Sequence, residues 1–435
     1  MTILYFKPTI KKKTIFVLIL CNLFLLSSFA FAAKQPSIVG ESAILIDKNS
    51  GQILFEKNSD KIMYPASTTK IMTGILTLEL ANLDDKVVVD EKTPYEISGS
   101  HIALESGEII TIKDLLYATM IESANDAAVV LAKKVGGSVE SFANLMNEKA
   151  KSLGLEHTNF VNPNGLPNPN HTTTAHDLAY IMKYATENEM FKSIISNYTY
   201  TINPTNKKDV PRYLKSENKM LYGKGTGNKI DVNGSTKDIY YPGIMGGKTG
   251  YTPEAKSCLV SYAKRGDMEL ISVVLKSSGK NIWIDSHKLL DYGFDNFKST
   301  TLAAKGTYLK MLPVTNGVFS QVPAVISQSF SIVLPPDQLE SVKTELILSD
   351  SIDAPVYDGQ ILGEQIYTLN GNSVGNTKII AAQNIDRKPE SKTKEEGPKI
   401  SVSKTLFYSL IGYSCFISLL TILRIRKRLK QLDDM

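Results

Sequence analysis

Nineteen consecutive residues, Thr405 to Leu423, carry no charge, and Arg424, Arg426, Lys427, Arg428 and Lys430 follow at once. As an α-helix such a run is roughly 28 Å long, close to the thickness of a bilayer's hydrocarbon layer. The spacing predicts a transmembrane helix over 403–423 and a basic tail, 424–435, on the cytoplasmic side. The other end has a complementary layout. Lys7, Lys11, Lys12 and Lys13 precede an apolar run from Thr14 to Phe31, and Ala30, Ala32 and Ala33 supply small residues there. This is the pattern of a secretory signal over 1–32, cut after Ala32. Together the two segments predict a body that is exported and then held at a membrane.

These ends also explain the net charge of +5. Without them the chain is slightly acidic, so its basic balance serves targeting and is no footprint for nucleic acid. Of the three cysteines, Cys21 lies in the signal and Cys415 in the span, leaving Cys258 alone in the body. The body therefore has no internal disulfide and must be held by core packing.

The body opens with two β-branched runs around Lys48-Asn49-Ser50-Gly51, a hairpin in which Gly51 takes positive φ. A helix begins near Ser67, with Ile71, Met72, Ile75, Leu76 and Leu80 at helical spacing. Helices are expected at 112–121, 125–134 and 138–153. A turn-rich polar segment follows, and Thr174 to Asp177 has capping-box spacing before the next helix. Residues 197–243 read as loops and short strands. From Gly243 onward two apolar runs flank Lys264-Arg265-Gly266-Asp267 as a strand hairpin, and a helix through Trp283 ends at Gly293. Strands at both ends with helices between them predict an α/β sandwich over 36–298. Residues 300–386 lose the helical period and read as a small all-β domain. The stretch 387–402 reads as a linker, its first part, 387–399, charged and without hydrophobes.

Three short motifs carry chemistry. Ser67 and Lys70 are three apart at the head of a helix, so they share a face and the amine can reach the hydroxyl. The helix start also favours negative charge developing near that hydroxyl. A lysine with the ordinary pKa of about 10.4 is neutral in only about 1 molecule in 2,500 at pH 7. Lowering that pKa by about 3, worth about 4 kcal/mol, makes it an effective base, and burial or a second cation can do so. Ser123-Ala124-Asn125 presents a hydroxyl and an amide between two helical runs. Lys248-Thr249-Gly250 supplies the second cation, a carboxylate-binding pair, and a glycine beside which a substrate backbone can lie.

In that order, S-x-x-K, S-x-N and K-T-G resemble the active-site set of penicillin-binding proteins and serine β-lactamases. The surrounding "PASTTKIMTG", "SANDAA" and "GGKTGYT", with "FANLMNEKAKSLGLEHTNFVNPNGL" and "TTTAHDLA", are similar to the low-molecular-mass D-alanyl-D-alanine carboxypeptidases from about Ser42 to Phe297. The resemblance implies a penicillin-binding/β-lactamase-like transpeptidase domain, an antiparallel sheet sandwiched with a helical lobe, then the small β domain and membrane tail. It implies that Ser67 is the acyl-enzyme nucleophile, Lys70 its base and Ser123 the proton relay to the leaving D-alanine. Asn125 would hold the substrate amide, Lys248 and Thr249 the terminal carboxylate, with Gly250 beside the substrate backbone. The N–H groups of Ser67 and Tyr251 would form the oxyanion hole. The implied partners are a peptidoglycan stem peptide as substrate, β-lactam antibiotics as covalent inhibitors, and the bacterial cell membrane, with the catalytic domain outside. No metal and no cofactor is implied.

Lys256 departs from the resemblance, standing where many members have Gly. A serine β-lactamase is the alternative enzyme, but class A members use a glutamate in an E-x-x-L-N setting, and no such stretch lies between Ser123 and Lys248. A non-catalytic wall-binding protein is the alternative outside catalysis. His171 and His176 lack the spacing of metal ligands and read as loop and helix-start residues. Trp283, Tyr292 and Cys258 read as packing residues.

Overall fold

The computed structural model describes residues 34–389 and 404–433. The signal over 1–32 and most of the 387–402 linker lie outside the described residues. The chain divides into two compact units. The larger holds the described part of Met1–Leu309 with Val325–Leu348 and Ile361–Ile380, and the smaller holds Lys310–Ala324, Ser349–Gln360 and the described part of Ala381–Met435.

In chain order the larger unit begins with β1 (Ser42–Asp47) and β2 (Ile53–Lys57). Helices α1 (Lys70–Leu80), α2 (Ile112–Ile121), α3 (Asn125–Gly136), α4 (Val139–Ser152), α5 (Ala175–Ala185) and α6 (Glu189–Ser196) follow. It continues with β3 (Ile244–Thr252), β4 (Lys256–Arg265), β5 (Met268–Ser277) and α7 (Asn281–Asn296). The five strands form one antiparallel sheet in the order β2-β1-β5-β4-β3, which leaves β3 at an edge.

The sheet's alternation divides the core in two. Ile44, Ile46, Val260, Tyr262, Ile271 and Val273 face the helical lobe of α1 to α6, while Ala43, Leu45, Leu259, Leu270 and Val274 pack with Ile282, Leu289 and Leu290 of α7. A period of two with both faces covered is what a sheet inside a sandwich requires. Cys258 belongs to the lobe-side core, and Trp283 and Tyr292 pack against the α7 side, as expected of packing residues.

Local chemistry explains most helix boundaries. Thr111 and Thr174 cap α2 and α5, each hydroxyl accepting from the N–H three residues on, Asp114 and Asp177, at 3.0 Å. Gly51 has φ +78° in the first hairpin. Two expectations shift. Ser67 is not in the first α-helical turn but in a separate 3₁₀ turn, Ala66–Thr69, because the Thr68 and Thr69 hydroxyls bond the Pro65 and Ala66 carbonyls at 2.7 and 2.8 Å. Helix α7 does not stop at Gly293 but runs to Asn296. Gly293 is there for packing: a Cβ would lie 2.5 Å from Leu270 and 2.8 Å from Leu45. The 197–243 region resolves into two hairpins, Thr199–Ile202 with Arg212–Lys215 and Lys229–Val232 with Ser235–Asp238.

The rest of the chain to residue 389 is all β apart from one 3₁₀ turn, as the lost helical period predicts. In the larger unit Lys298–Ala303 pairs with Phe330–Leu334, and Val342–Leu348, Ile361–Leu369 and Asn372–Ala381 form an antiparallel array. In the smaller unit Val314 and Thr315 pair in parallel with Ile352 and Asp353. The C-terminal apolar run lies in a helix, Lys404–Asp433, whose side chains from Gly412 to Arg426 are exposed. Among the described residues no helix is long and apolar enough to cross a membrane.

Candidate active site

Three segments distant in sequence meet where the head of α1 abuts the edge strand β3. The Ala66–Thr69 turn presents Ser67, half-buried, with Lys70 directly behind it as the first residue of α1. The turn is strained: Ala66 has φ +48°, a left-handed value that costs a residue with a Cβ about 1–2 kcal/mol. What holds it is the tight turn at Asn162–Gly165. Asn162 Oδ1 accepts from Gly165 N at 2.7 Å, and Gly165 (φ +86°) lies so close that a Cβ would sit 1.8 Å from the Ala66 carbonyl oxygen.

Lys70 is 0% exposed, and its Nζ contacts three oxygens: Ser67 Oγ at 2.9 Å, Asn125 Oδ1 at 2.7 Å and the Asn164 carbonyl at 2.8 Å. Burial first, and then the Lys248 cation, push its pKa well below the usual lysine range. A neutral amine has two N–H donors and one lone pair. Asn125 Oδ1 and the Asn164 carbonyl can only accept, so they take the two donors, and the lone pair is left for the one neighbour able to donate, the Ser67 hydroxyl. The geometry thus points the amine at the proton a nucleophilic serine must lose.

Asn125, first residue of α3, is fixed on both sides: its Nδ2 donates to the Ser98 carbonyl at 2.7 Å and its backbone N to the Ser100 carbonyl at 2.7 Å. The neighbouring Asp126 carboxylate accepts from the N–H groups of Ile102 and Leu104 at 3.1–3.2 Å, pinning the same loop. Ser123, 1% exposed with φ +61°, turns its hydroxyl toward β3. There Lys248 Nζ donates to Ser123 Oγ at 2.8 Å and to the Thr249 carbonyl at 3.1 Å. Burial lowers Lys248 to about 8, with the Glu217 carboxylate opposing the fall. Burial thus shifts both lysines toward the free amine, and Lys248, at about 8, stays mostly charged near neutral pH.

On the outer side Thr249 Oγ1 donates to Glu217 Oε2 at 3.2 Å. Gly250 brings the strand edge against the head of α1: a Cβ there would be 2.8 Å from Ser67 N and 3.1 Å from Thr68 N. Tyr251 is 66% exposed beyond it. Of the eight site residues expected from sequence, Ser67, Lys70 and Asn125 are joined by direct hydrogen bonds, as are Ser123 and Lys248. Gly250 lies against the Ser67 backbone, and Thr249 and the exposed Tyr251 flank it on β3.

Sequence reasoning missed four contributors. Asn164 acts through its carbonyl, which carries no residue-type signal, although the Asn-Pro-Asn-Gly turn that aims it was visible. Asp126 lies inside "SAND" but contributes by anchoring a loop. Glu217 sits in a stretch without period. His171 is a buried bracket rather than a plain loop residue. Its Nδ1 accepts from Val161 N at 2.9 Å, so Nε2 carries the proton toward Thr69 Oγ1 at 2.8 Å, and Thr69 in turn bonds the strained Ala66 carbonyl. Among the described residues no group of three or more His, Cys, Asp or Glu side chains is arranged to hold a metal ion.

A serine at the head of α1 hydrogen-bonded to one buried lysine, with a second buried lysine on the neighbouring edge strand, defines a serine acyl-transfer site on a penicillin-binding-protein fold. The comparisons with known proteins agree. A family model described as D-alanyl-D-alanine carboxypeptidase matches residues 29–279, and one described as penicillin-binding protein 5, C-terminal domain, matches 297–387. The chain is 32% identical to the D-alanyl-D-alanine carboxypeptidase DacF of Bacillus subtilis, over 80% of this chain and 86% of that protein. It is 33% identical to DacC of Escherichia coli, over 84% and 90%. Among solved structures, penicillin binding protein 5 from Haemophilus influenzae superposes with a TM-score of 0.68 at 27% identity, covering 81% of this chain and 99% of that one. The chain belongs to the D-alanyl-D-alanine carboxypeptidase family.

Proposed function

We propose that Ser67 carries the acyl group in this serine-type D-alanyl-D-alanine carboxypeptidase, which removes the terminal D-Ala from peptidoglycan stem pentapeptides. Ser67 Oγ attacks the carbonyl carbon of the penultimate D-Ala while its proton passes to the Lys70 lone pair. The N–H groups of Ser67 and Tyr251 take the oxyanion, in the place Gly250 leaves free of side chain. The C–N bond then breaks, and the departing D-alanine amine takes a proton through the Ser123 hydroxyl, which Lys248 orients. Water attacks the ester, losing its proton to the same base, and the tetrapeptide leaves with a new carboxylate. Lys248 and Thr249 bind the substrate's terminal carboxylate. Asn125 orients Lys70; for its Nδ2 to hold the substrate amide as well, it would have to leave the Ser98 carbonyl.

The observation that carries this reading is the Lys70 amine, whose two obligate acceptors leave Ser67 as its only donor. The same neighbourhood supports penicillin sensitivity over penicillin hydrolysis. The group facing Lys70 and Ser67 from the 162–165 turn is a backbone carbonyl, which cannot activate water as a carboxylate can, so a penicilloyl ester should persist. Mass spectrometry after penicillin treatment tests both points: a stable adduct on the peptide containing Ser67, together with D-Ala release from a pentapeptide, is the expected result. Rapid penicillin turnover or an adduct elsewhere would overturn it.

The sequence further supports a signal over 1–32, a catalytic domain over 36–298, a β domain over 300–386, a linker over 387–402, a membrane span over 403–423 and a cytoplasmic tail over 424–435. In this arrangement the enzyme works outside the cell, beside its substrate. Truncation after residue 402 should release the active body from the membrane fraction; retention there would place the anchor elsewhere.

A further inference from the structure

One carboxylate stands where the proposed reading expects an incoming carboxylate. Thr249 Oγ1, assigned there to the substrate's terminus, donates to Glu217 Oε2 at 3.2 Å. Glu217 is exposed, and among the described residues no Lys or Arg forms an ion pair with it. Its position is not accidental to a loose loop. The backbone on one side is tied to the Ser123 loop through Lys215 N, which donates to Glu122 Oε2 at 2.8 Å. On the other side Asn218 is buried and its Oδ1 accepts from Met220 N at 3.1 Å. The segment is therefore held beside β3 with the acid on the Thr249 hydroxyl. The carboxylate also acts on both buried ammonium groups, favouring the protonated form of Lys248 and of Lys70.

We infer that Glu217 is a specificity residue that competes with the substrate's terminal carboxylate for the Thr249 hydroxyl, weakening binding of anionic termini relative to uncharged ones. Two carboxylates cannot share one hydroxyl donor without repulsion, so an anionic terminus must displace Glu217 from Thr249. An amide-ended ligand, which brings no charge, meets no such repulsion. Glu217 makes no hydrogen bond to Ser67 or Lys70, so its contact with Thr249 acts on binding, while its charge works the other way on Lys248 by helping it keep its proton.

The inference rests on the carboxylate-binding reading of Lys248 and Thr249, and the experiment separates the two. Steady-state kinetics are compared for an acyl-D-Ala-D-Ala peptide and the same peptide with a C-terminal amide, using the full chain and the variants Glu217→Gln and Thr249→Val. At about pH 6.5, below the Lys248 pKa of about 8, Glu217→Gln should raise kcat/KM on the carboxylate substrate relative to the amide substrate roughly five- to tenfold, mainly through KM, while any change in the Lys70 base falls on both substrates alike. Added salt should likewise raise kcat/KM for the unaltered protein on the carboxylate substrate and do less for the variant. Thr249→Val should lower activity on the carboxylate substrate selectively. If Thr249→Val is selective and Glu217→Gln changes both substrates equally or neither, the Glu217 inference fails alone. If Thr249→Val shows no preference between the two, the carboxylate-binding reading fails and takes the inference with it. Because Glu217 is exposed, an unchanged melting temperature is expected of Glu217→Gln and confirms that binding, not folding, has been read.

Discussion

The two walls of the cleft are built on opposite plans. The helical wall, made of Ser67, Lys70, Asn125 and Asn164, is largely buried, and its polar groups have named partners within the protein. It also stores strain, at Ala66 and Ser123. The strand wall of Thr249, Gly250 and Tyr251 is a sheet edge, and its half-buried Thr249 hydroxyl is held by a solvent-facing acid. The contrast teaches a division of labour: proton transfer needs a fixed geometry and a low dielectric, while recognition of an extended peptide needs unpaired backbone and accessible donors. Lys248 joins them, buried like the first wall but carried on the strand of the second.

The sharpest way to break this division is to remove the proposed base, Lys70, from the buried wall. Lys70→Ala should lower the rate of penicillin acylation about 10³-fold or more, the range expected for loss of a general base. Lys70→Arg, whose guanidinium always stays protonated, keeps a cation and donors but has no lone pair. It should be as inactive as Lys70→Ala. Rescue by arginine in a variant that still melts near the unaltered temperature would show that Lys70 acts as a charge, and the two walls would lose their distinction.

A second measure addresses how the buried wall is braced. Burial lowers His171 from 6.5 to about 4. Its folded pKa is below its unfolded one, so the unfolded chain takes up the proton first as pH falls. The stabilisation is complete above about pH 6.5 and is lost as pH drops toward 4, amounting to about 3 kcal/mol. His287, also buried and shifted the same way, adds to the slope. His171→Gln should therefore flatten, without abolishing, the decline of melting temperature between pH 6.5 and 4. An identical slope would mean that His171 does not brace the nucleophile turn.

The joining residue predicts a smaller, pH-dependent effect. Lys248 loses its proton as pH rises through about 8. Carboxylate binding should weaken above that pH, and acylation by benzylpenicillin should fall by up to about tenfold per further pH unit. A profile flat to pH 10 would show that the strand wall binds its ligand without that charge.

How much of this was legible beforehand follows the same division. Side chains that act through their own functional groups, such as Ser67, Lys70, Ser123 and Lys248, stand in short ordered motifs, and the sheet and helical lobe follow from period-two and helical spacing. Residues that act through the backbone or at a distance leave no such mark. The Asn164 carbonyl could belong to any residue type, and the Thr69–His171 pairing joins positions 102 apart. Glu217 lies between a hairpin and a 3₁₀ turn, where neither helical nor strand period exists to say which way a side chain points. The place of Ser67 in its own 3₁₀ turn was equally hidden, because it depends on where two threonine hydroxyls bond.

The smallest expected effect concerns the end of the strand wall, where the chain departs from the glycine its resemblance implied. Lys256 begins β4 with φ +53°, a left-handed value that disfavours any residue with a Cβ. It is exposed, lies outside the site's hydrogen bonds, and faces Thr252 in the turn that follows the K-T-G strand. Lys256→Gly should therefore relieve strain without touching the chemistry, adding about 1 kcal/mol of stability and roughly 2–4 °C in melting temperature. Acylation by penicillin should not change. A variant that melts higher but acylates more slowly would show that the strain is transmitted along β3, and the strand wall would then be less independent of its turn than its geometry indicates.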